Sequence, residues 1–144
     1  MTLAGAAFGA LGLTGCFSQC AALCVGSVTA SGKVDVPAEK PALDVTLCVN
    51  AACSEGQLTF EASGTASCDG DLKCELTEDA AGATLEVQSF GGVDDVEAGD
   101  EIHVTVKVAD TGAVLVDSKQ IAVDISESEL CGSKCHSAEV SWDQ

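Results

Sequence analysis

The sequence contains no arginine and no tyrosine, and it holds only six lysines, two prolines, four Phe and one Trp. Without Arg there is no planar guanidinium to grip a phosphate or a guanine edge with two hydrogen bonds. With 23 Asp and Glu against those 6 Lys, the formal charge of −17 repels a phosphate backbone, so nucleic acid is excluded as a partner. The absence of Tyr and the scarcity of other rings remove the aromatic platform of a sugar subsite and leave little surface for a haem pocket. Also missing are a Gly-x-Ser-x-Gly elbow, a phosphate-binding glycine loop and a His-Glu-x-x-His helix.

What is present points to a folded, exported domain. A length of 144 residues suits one domain, and 47% hydrophobic beside 20% charged residues is too apolar for a disordered chain. Nine cysteines are far more than a reducing cytosol tolerates without metal or redox chemistry, so an oxidising compartment is expected.

The distribution of charge divides the chain. Met1 to Ala30 carries no charge, and every acid and lysine follows from Lys33 onward. Thr2 to Leu13 is an apolar, Ala/Gly/Leu-rich stretch of signal-peptide length, ending in Leu13-Thr14-Gly15-Cys16. That tetrapeptide resembles the bacterial lipobox, in which the thiol takes a diacylglyceryl group and small residues flank the cleaved bond. The resemblance implies a signal peptide over 1–15, a lipidated Cys16 with a tether over 16–26, and a domain over 27–144. Membrane attachment would run through the lipid anchor, because two or three acyl chains hold a protein where one would not. Phe17 stands where an Asp would favour retention at the inner membrane, so an outer-membrane lipoprotein is expected, periplasmic or surface-exposed. The alternatives are an uncleaved membrane helix from Thr2 to about Val25, with Gly5 and Gly9 at GxxxG spacing, and a buried segment of a soluble protein.

From Ser27 onward the hydrophobic period is two. Val28, Ala30, Gly32, Val34 and Val36 alternate with polar residues, as do Leu43, Val45, Leu47 and Val49. The pattern returns at Leu58, Phe60 and Ala62, at Leu72, Cys74 and Leu76, and at Ala83, Leu85 and Val87. Its strongest run is Ile102, Val104, Val106 and Val108, followed by the turn Asp110-Thr111-Gly112 and by Ala113 to Val116. Ile121, Val123 and Ile125 then read as one strand, and Ala138, Val140 and Trp142 as the last. Seven to nine short one-faced strands predict an all-β, antiparallel, immunoglobulin-like β-sandwich, and parallel pairing is disfavoured.

If Cys16 carries lipid, Cys20, Cys24, Cys48, Cys53, Cys68, Cys74, Cys131 and Cys135 form an even set suited to disulfides. Cys48 and Cys53 flank one tight turn, Cys68 and Cys74 another, so both pairs are expected as local hairpin clamps. The other four are expected to bond among themselves, a staple from Cys20 and Cys24 to the C-terminal pair competing with two local bridges. Structural zinc is the rival reading, although every spacing here is wider than C-x2-C. Cys131 to His136 also resembles a c-type haem attachment site with one residue too many. No cofactor is expected.

The segment Thr46 to Gly56, the pair Cys68 and Cys74, the run Gly99 to Val106 and the terminal Cys131-Gly132-Ser133-Lys134-Cys135 together resemble cysteine-rich bacterial lipoproteins of the kind found in myxobacteria. The resemblance covers most of the chain after Cys16 and implies a lipid-anchored β-sandwich without implying an activity.

Two histidines are the only side chains suited to general-base work near neutral pH. His103 falls on the polar side of its strand, where it is expected to lack the fixed partner that orients a catalytic imidazole. His136 reads as a tail residue, and burial of Trp142 is expected to hold that tail. Asp94, Asp95, Glu97, Asp100 and Glu101 form the densest acidic loop and are the weak candidates for calcium. The function expected from all this is non-enzymatic: an envelope binding or structural module whose protein or envelope partner is unidentified, with self-association as a further expectation. A subunit of an extracellular filament or coat, or an acidic metal-dependent envelope enzyme, are the alternatives.

Overall fold

Alternating apolar and polar side chains become strand wherever a single face can be buried. The structure, a computed structural model, describes residues 27–90, 96–130 and 133–142, and among these it holds ten strands and no helix. They are β1 (Ser27–Val34), β2 (Leu43–Val49), β3 (Ala52–Phe60), β4 (Ala66–Gly70), β5 (Leu72–Asp79), β6 (Gly82–Phe90), β7 (Glu101–Val108), β8 (Val114–Ile121), β9 (Ile125–Leu130) and β10 (Ser133–Trp142).

Two five-stranded sheets result. One, here called the hairpin sheet, has the order β4-β3-β2-β7-β8 and is antiparallel throughout. The other, the terminal sheet, has the order β5-β6-β1-β10-β9. The core lies between them: Val28, Ala30, Leu85, Val87 and Ala138 of the terminal sheet belong to the same buried cluster as Leu43, Leu47, Leu58, Ile102, Val104 and Val106 of the hairpin sheet. β7 shows the rule most plainly, burying Ile102, Val104, Val106 and Val108 while Lys107 stays exposed.

The expectation of purely antiparallel pairing needs correction. β1 and β10 run parallel, Ser27 opposite Ser137 through Gly32 opposite Trp142. Parallel strands need a long connection, and here the whole intervening chain supplies it. One-faced alternation did not exclude this pair, because a sandwich strand buries one face whatever the direction of its neighbour. Trp142 closes the pair: it is 3% exposed, and its Nε1 donates to the Lys33 carbonyl at 2.9 Å. Gly32 is required there, since a Cβ at that position would collide with the indole ring and the Trp142 carbonyl.

Two further boundaries differ from the alternation. Ile121, Val123 and Ile125 do not form one strand: β8 ends at Ile121 in the hairpin sheet and β9 starts at Ile125 in the terminal sheet. The buried Ala122 anchors the crossing, donating to the Asp100 carbonyl at 2.9 Å and accepting from the Gly99 N–H at 2.8 Å. At the other corner, β4 in the hairpin sheet passes through Asp71 into β5 of the terminal sheet. Gly70, at φ 110°, makes that bend, where a side chain would strike the Glu55 carbonyl.

Candidate functional site

The outward face of the hairpin sheet gathers most of the chemistry-bearing side chains. Residues 50 and 51 alone join β2 to β3, so Val49 pairs with Ala52 and Cys48 with Cys53 one step further. Their Cα atoms are 4.0 Å apart and a disulfide joins them. Such close approach belongs to the antiparallel pair that exchanges no backbone hydrogen bonds. Cys48 is in turn opposite His103 on β7, and His103 is opposite Lys119 on β8.

His103 Nε2 lies 2.5 Å from Asp117 Oδ1, and Thr105 Oγ1 lies 3.4 Å from the same nitrogen. This corrects the expectation that His103 has no oriented partner. A β-bulge explains why: Lys107 pairs with Val114, but Val106 pairs with Val116, so one residue of β8 is skipped. Regular pairing onward from Lys107 and Val114 would set Asp117 opposite the core-facing Val104; with the bulge, Asp117 sits opposite Thr105 and shares the outward face of His103. The hydrogen bond from His103 is the main reason the Asp117 carboxyl titrates below its ordinary value, and the charges of His103, Lys119 and Lys107 add to it.

The trio does not have the geometry of a nucleophile, base and acid in relay. In a triad the acid holds one imidazole nitrogen while the nucleophile addresses the other. Here carboxylate and hydroxyl both address Nε2, and the His103 side chain keeps 30% of its exposure. His136 is likewise paired across strands, its Nε2 lying 3.2 Å from Glu127 Oε2, with the two residues in register between β10 and β9.

An open depression across β2, β3 and β7 is lined by Asp44, Val45, Thr46, Glu55, Gly56 and Lys107. Asp44 is already engaged there, accepting from Gln57 Nε2 at 3.0 Å. The depression offers mixed charge, from Asp44, Glu55 and Lys107, and is open to solvent, which suits contact with another macromolecular surface more than enclosure of a small molecule.

The acidic loop has a structural task. Asp100 Oδ1 accepts from Asn50 Nδ2 at 3.0 Å, and its Oδ2 accepts from the Glu97 N–H at 2.8 Å. Asn50 Oδ1 also accepts from the Glu101 N–H at 3.0 Å, while the Asn50 N–H donates to the Glu101 carbonyl at 2.8 Å. The turn between β2 and β3 is thereby bracketed to the start of β7. Asn50 suits the role because it tolerates the left-handed conformation found there, φ 52°. The Asn50 amide first, and the Glu97 N–H second, hold the Asp100 carboxyl below its ordinary pKa. Of the calcium candidates, Asp100 is thus occupied by protein donors, and Glu101 lies 4.0 Å from Lys119 Nζ. Glu97 is an exposed loop residue, and Asp94 and Asp95 lie outside the described residues. Among the described residues no group of three or more His, Cys, Asp or Glu converges as a metal site.

The remaining cysteines divide as follows. Cys68 and Cys74 are bonded, with Cα atoms 5.4 Å apart. They correct the expectation of a hairpin clamp, since Cys68 belongs to β4 and Cys74 to β5, in different sheets. Cys135, on β10, is disulfide-bonded. Cys16, Cys20, Cys24 and Cys131 lie outside the described residues.

Asp117 and Asn50 are the site residues that alternation did not single out. Asn50 carried a usable signal, a polar residue of left-handed tolerance between two apolar runs; Asp117 carried none, because its face depends on the bulge. Compared with known proteins, the chain matches no protein family, no curated protein and no solved structure.

Proposed function

We propose that this protein is a lipid-anchored, disulfide-clamped sandwich of the immunoglobulin-like class that acts at the bacterial cell envelope as a non-enzymatic binding or structural module. The observation that carries the reading is Leu13-Thr14-Gly15-Cys16 at the end of an apolar, uncharged segment, directly before a domain that holds all the charge. The bridges Cys48–Cys53 and Cys68–Cys74 support it, because disulfides persist in oxidising compartments. Two layers rich in hairpins support the immunoglobulin-like class, although the ten strands among the described residues and the parallel β1–β10 pair depart from its seven-stranded form. The resemblance to cysteine-rich lipoproteins of myxobacteria supports the same address. A module of this kind meets its partner through sheet edges or end loops, and the mixed-charge face beside Lys107 and Glu55 suits such contact.

Mass spectrometry of the protein extracted from its native membrane tests the anchor. The expected N-terminal peptide starts at an acylated Cys16, and Cys16→Ala is expected to release the domain or leave the precursor uncleaved. An intact segment from Met1 to Gly15 would overturn the reading.

A further inference from the structure

One row of outward side chains crosses four strands of the hairpin sheet. Cys53 on β3 is opposite Cys48 on β2, Cys48 is opposite His103 on β7, and His103 is opposite Lys119 on β8. Side chains directly opposite on one face are within reach of each other, their Cβ atoms about 5 Å apart. The bridge Cys48–Cys53 therefore has two unequal ends. At the inner end Cys48 is half-buried and has His103, itself held by Asp117, beside it. At the outer end Cys53 is exposed. β4 pairs with β3 only from Gly56 to Phe60, and past Asp71 the chain leaves for the other sheet. Among the described residues no strand flanks Cys53 on the side away from β2.

A thiolate opens a disulfide by attacking one sulfur in line with the S–S bond and expelling the other. The approach to Cys53 Sγ from beyond β3 is open, whereas the matching line to Cys48 Sγ crosses β7 at His103. Expulsion is easiest for the sulfur whose thiolate is best stabilised, and a neighbouring imidazolium or ammonium group does this. His103, when protonated, and Lys119 one strand further both stand on the Cys48 side. Access and leaving-group stability thus select the same direction, attack at Cys53 with release of Cys48. The second bridge offers neither, because Cys68 and Cys74 are partly buried and packed against the core. Opening Cys48–Cys53 also leaves its surroundings tied together. The two-residue turn, the ladder of β2 with β3 and the bonds of Asn50 to Asp100 and Glu101 hold the strands without the sulfurs. The two thiols then stay opposite each other, placed to bond again.

We propose that Cys48–Cys53 is a thiol-exchange site, opened and closed by a dithiol protein while the sandwich stays folded. A thiolate of the partner bonds to Cys53 Sγ as the S–S bond breaks, and the electron pair of that bond leaves on Cys48 Sγ, which takes up a proton. The partner's second thiolate then attacks its own sulfur in the mixed disulfide and expels Cys53, which is protonated from solvent. Two electrons and two protons have passed to the bridge, and the partner departs as a disulfide; the reverse sequence closes the bridge again. The site does not depend on the lipid anchor and stands or falls separately from the envelope reading.

Brief treatment of the oxidised full chain with reduced thioredoxin as the dithiol protein, followed by acid quenching, alkylation and peptide mapping, tests it. Cys48 and Cys53 are expected to be labelled at least about tenfold faster than Cys68 and Cys74, with far-ultraviolet circular dichroism and Trp142 fluorescence unchanged. Reduced glutathione, a monothiol, should be trapped as a mixed disulfide on Cys53 with Cys48 released. His103→Ala combined with Lys119→Ala should slow the opening and weaken that preference for Cys53 without altering the circular dichroism. Equal labelling of the two bridges would overturn the proposal. So would glutathione on Cys48 of the unaltered chain, loss of the folded signals on opening, or a rate and preference indifferent to the double replacement.

Discussion

The two sheets share a size and a core but are assembled by different means. The hairpin sheet joins β2 to β3, β3 to β4 and β7 to β8 through short turns, and its charged and disulfide-bonded face is organised by register alone. The terminal sheet instead sets β1 beside β10, joining the two ends of the described domain, and fixes them with one indole ring over one glycine. Each layer holds local hairpins joined by one longer-range pairing or more, β2 with β7 in the first and β1 with β6 and β10 in the second, and the contact from Lys33 to Trp142 spans 109 residues. Loop-closure entropy must be met before a contact of that range stabilises anything, so the β1–β10 pair depends most on the ring that fixes it.

The sharpest way to break this contrast is at Trp142. Trp142→Ala should destabilise by about 3–5 kcal/mol, through lost burial and the cavity left behind. Gly32→Ala should act on the same contact by overpacking, at about 1–3 kcal/mol. Urea unfolding followed by circular dichroism measures both. A loss under about 1 kcal/mol for Trp142→Ala would mean the parallel pair holds without its ring.

A second comparison sets the two bridges against each other, since their sequence separations of 5 and 6 are nearly equal. Loop closure alone gives each about 2 kcal/mol. Cys48–Cys53 reinforces a hairpin already closed by its turn and by Asn50, a structure the unfolded chain can partly retain. Cys68–Cys74 joins the layers across the bend at Gly70 and Asp71, where the two strands belong to different sheets and have no ladder of their own. Paired Cys→Ser replacement should therefore lower the urea midpoint more at Cys68 and Cys74 than at Cys48 and Cys53. Equal losses would show that joining two layers adds nothing to loop closure.

The smallest effect sharpens the picture at the bracketed turn. The Asp100 carboxyl titrates lower when folded than the value of about 3.9 expected for an unfolded Asp. Its contribution is thus present above that pH and is lost as pH falls through the lower folded value. Asn50→Ala removes the larger cause of the shift, so it should flatten this acid limb while also lowering stability near neutral pH. Solvent screening keeps the pH-dependent part under about 1 kcal/mol, and the remaining slope reports Asp117, the other carboxyl held below its ordinary value. Stability curves between pH 2 and pH 6, roughly the range in which carboxylates titrate, would check it; an unchanged limb would assign the slope elsewhere.

The legible parts of this fold were those where burial and alternation agree. β2, β7 and β1 could be read residue by residue, because each buried position is apolar. The first half of β3 could not, since its buried position is Ser54 and its neighbours are Glu55, Gly56 and Gln57. β4 is too short and polar to show a period, and Val123 kept the alternation going through a segment that is in fact leaving one sheet for the other. Of the candidate site, the cysteine pairs at 48 and 53 and at 68 and 74 were visible from turn spacing. The meeting of His103 with Asp117 was not, because one skipped residue on β8 reverses which side chains share a face.

The parallel pairing of β1 and β10 also decides how the domain bears load. The pair covers six residues from Ser27 opposite Ser137 to Gly32 opposite Trp142, a length of roughly 20 Å at the rise of a strand. The start of β1 and the end of β10 therefore lie at opposite ends of the sandwich. A pull that separates these two points runs along the strands, so the hydrogen bonds between them are strained side by side and must yield together instead of peeling one after another. The same strands paired antiparallel would have their loaded ends adjacent and would open like a zip.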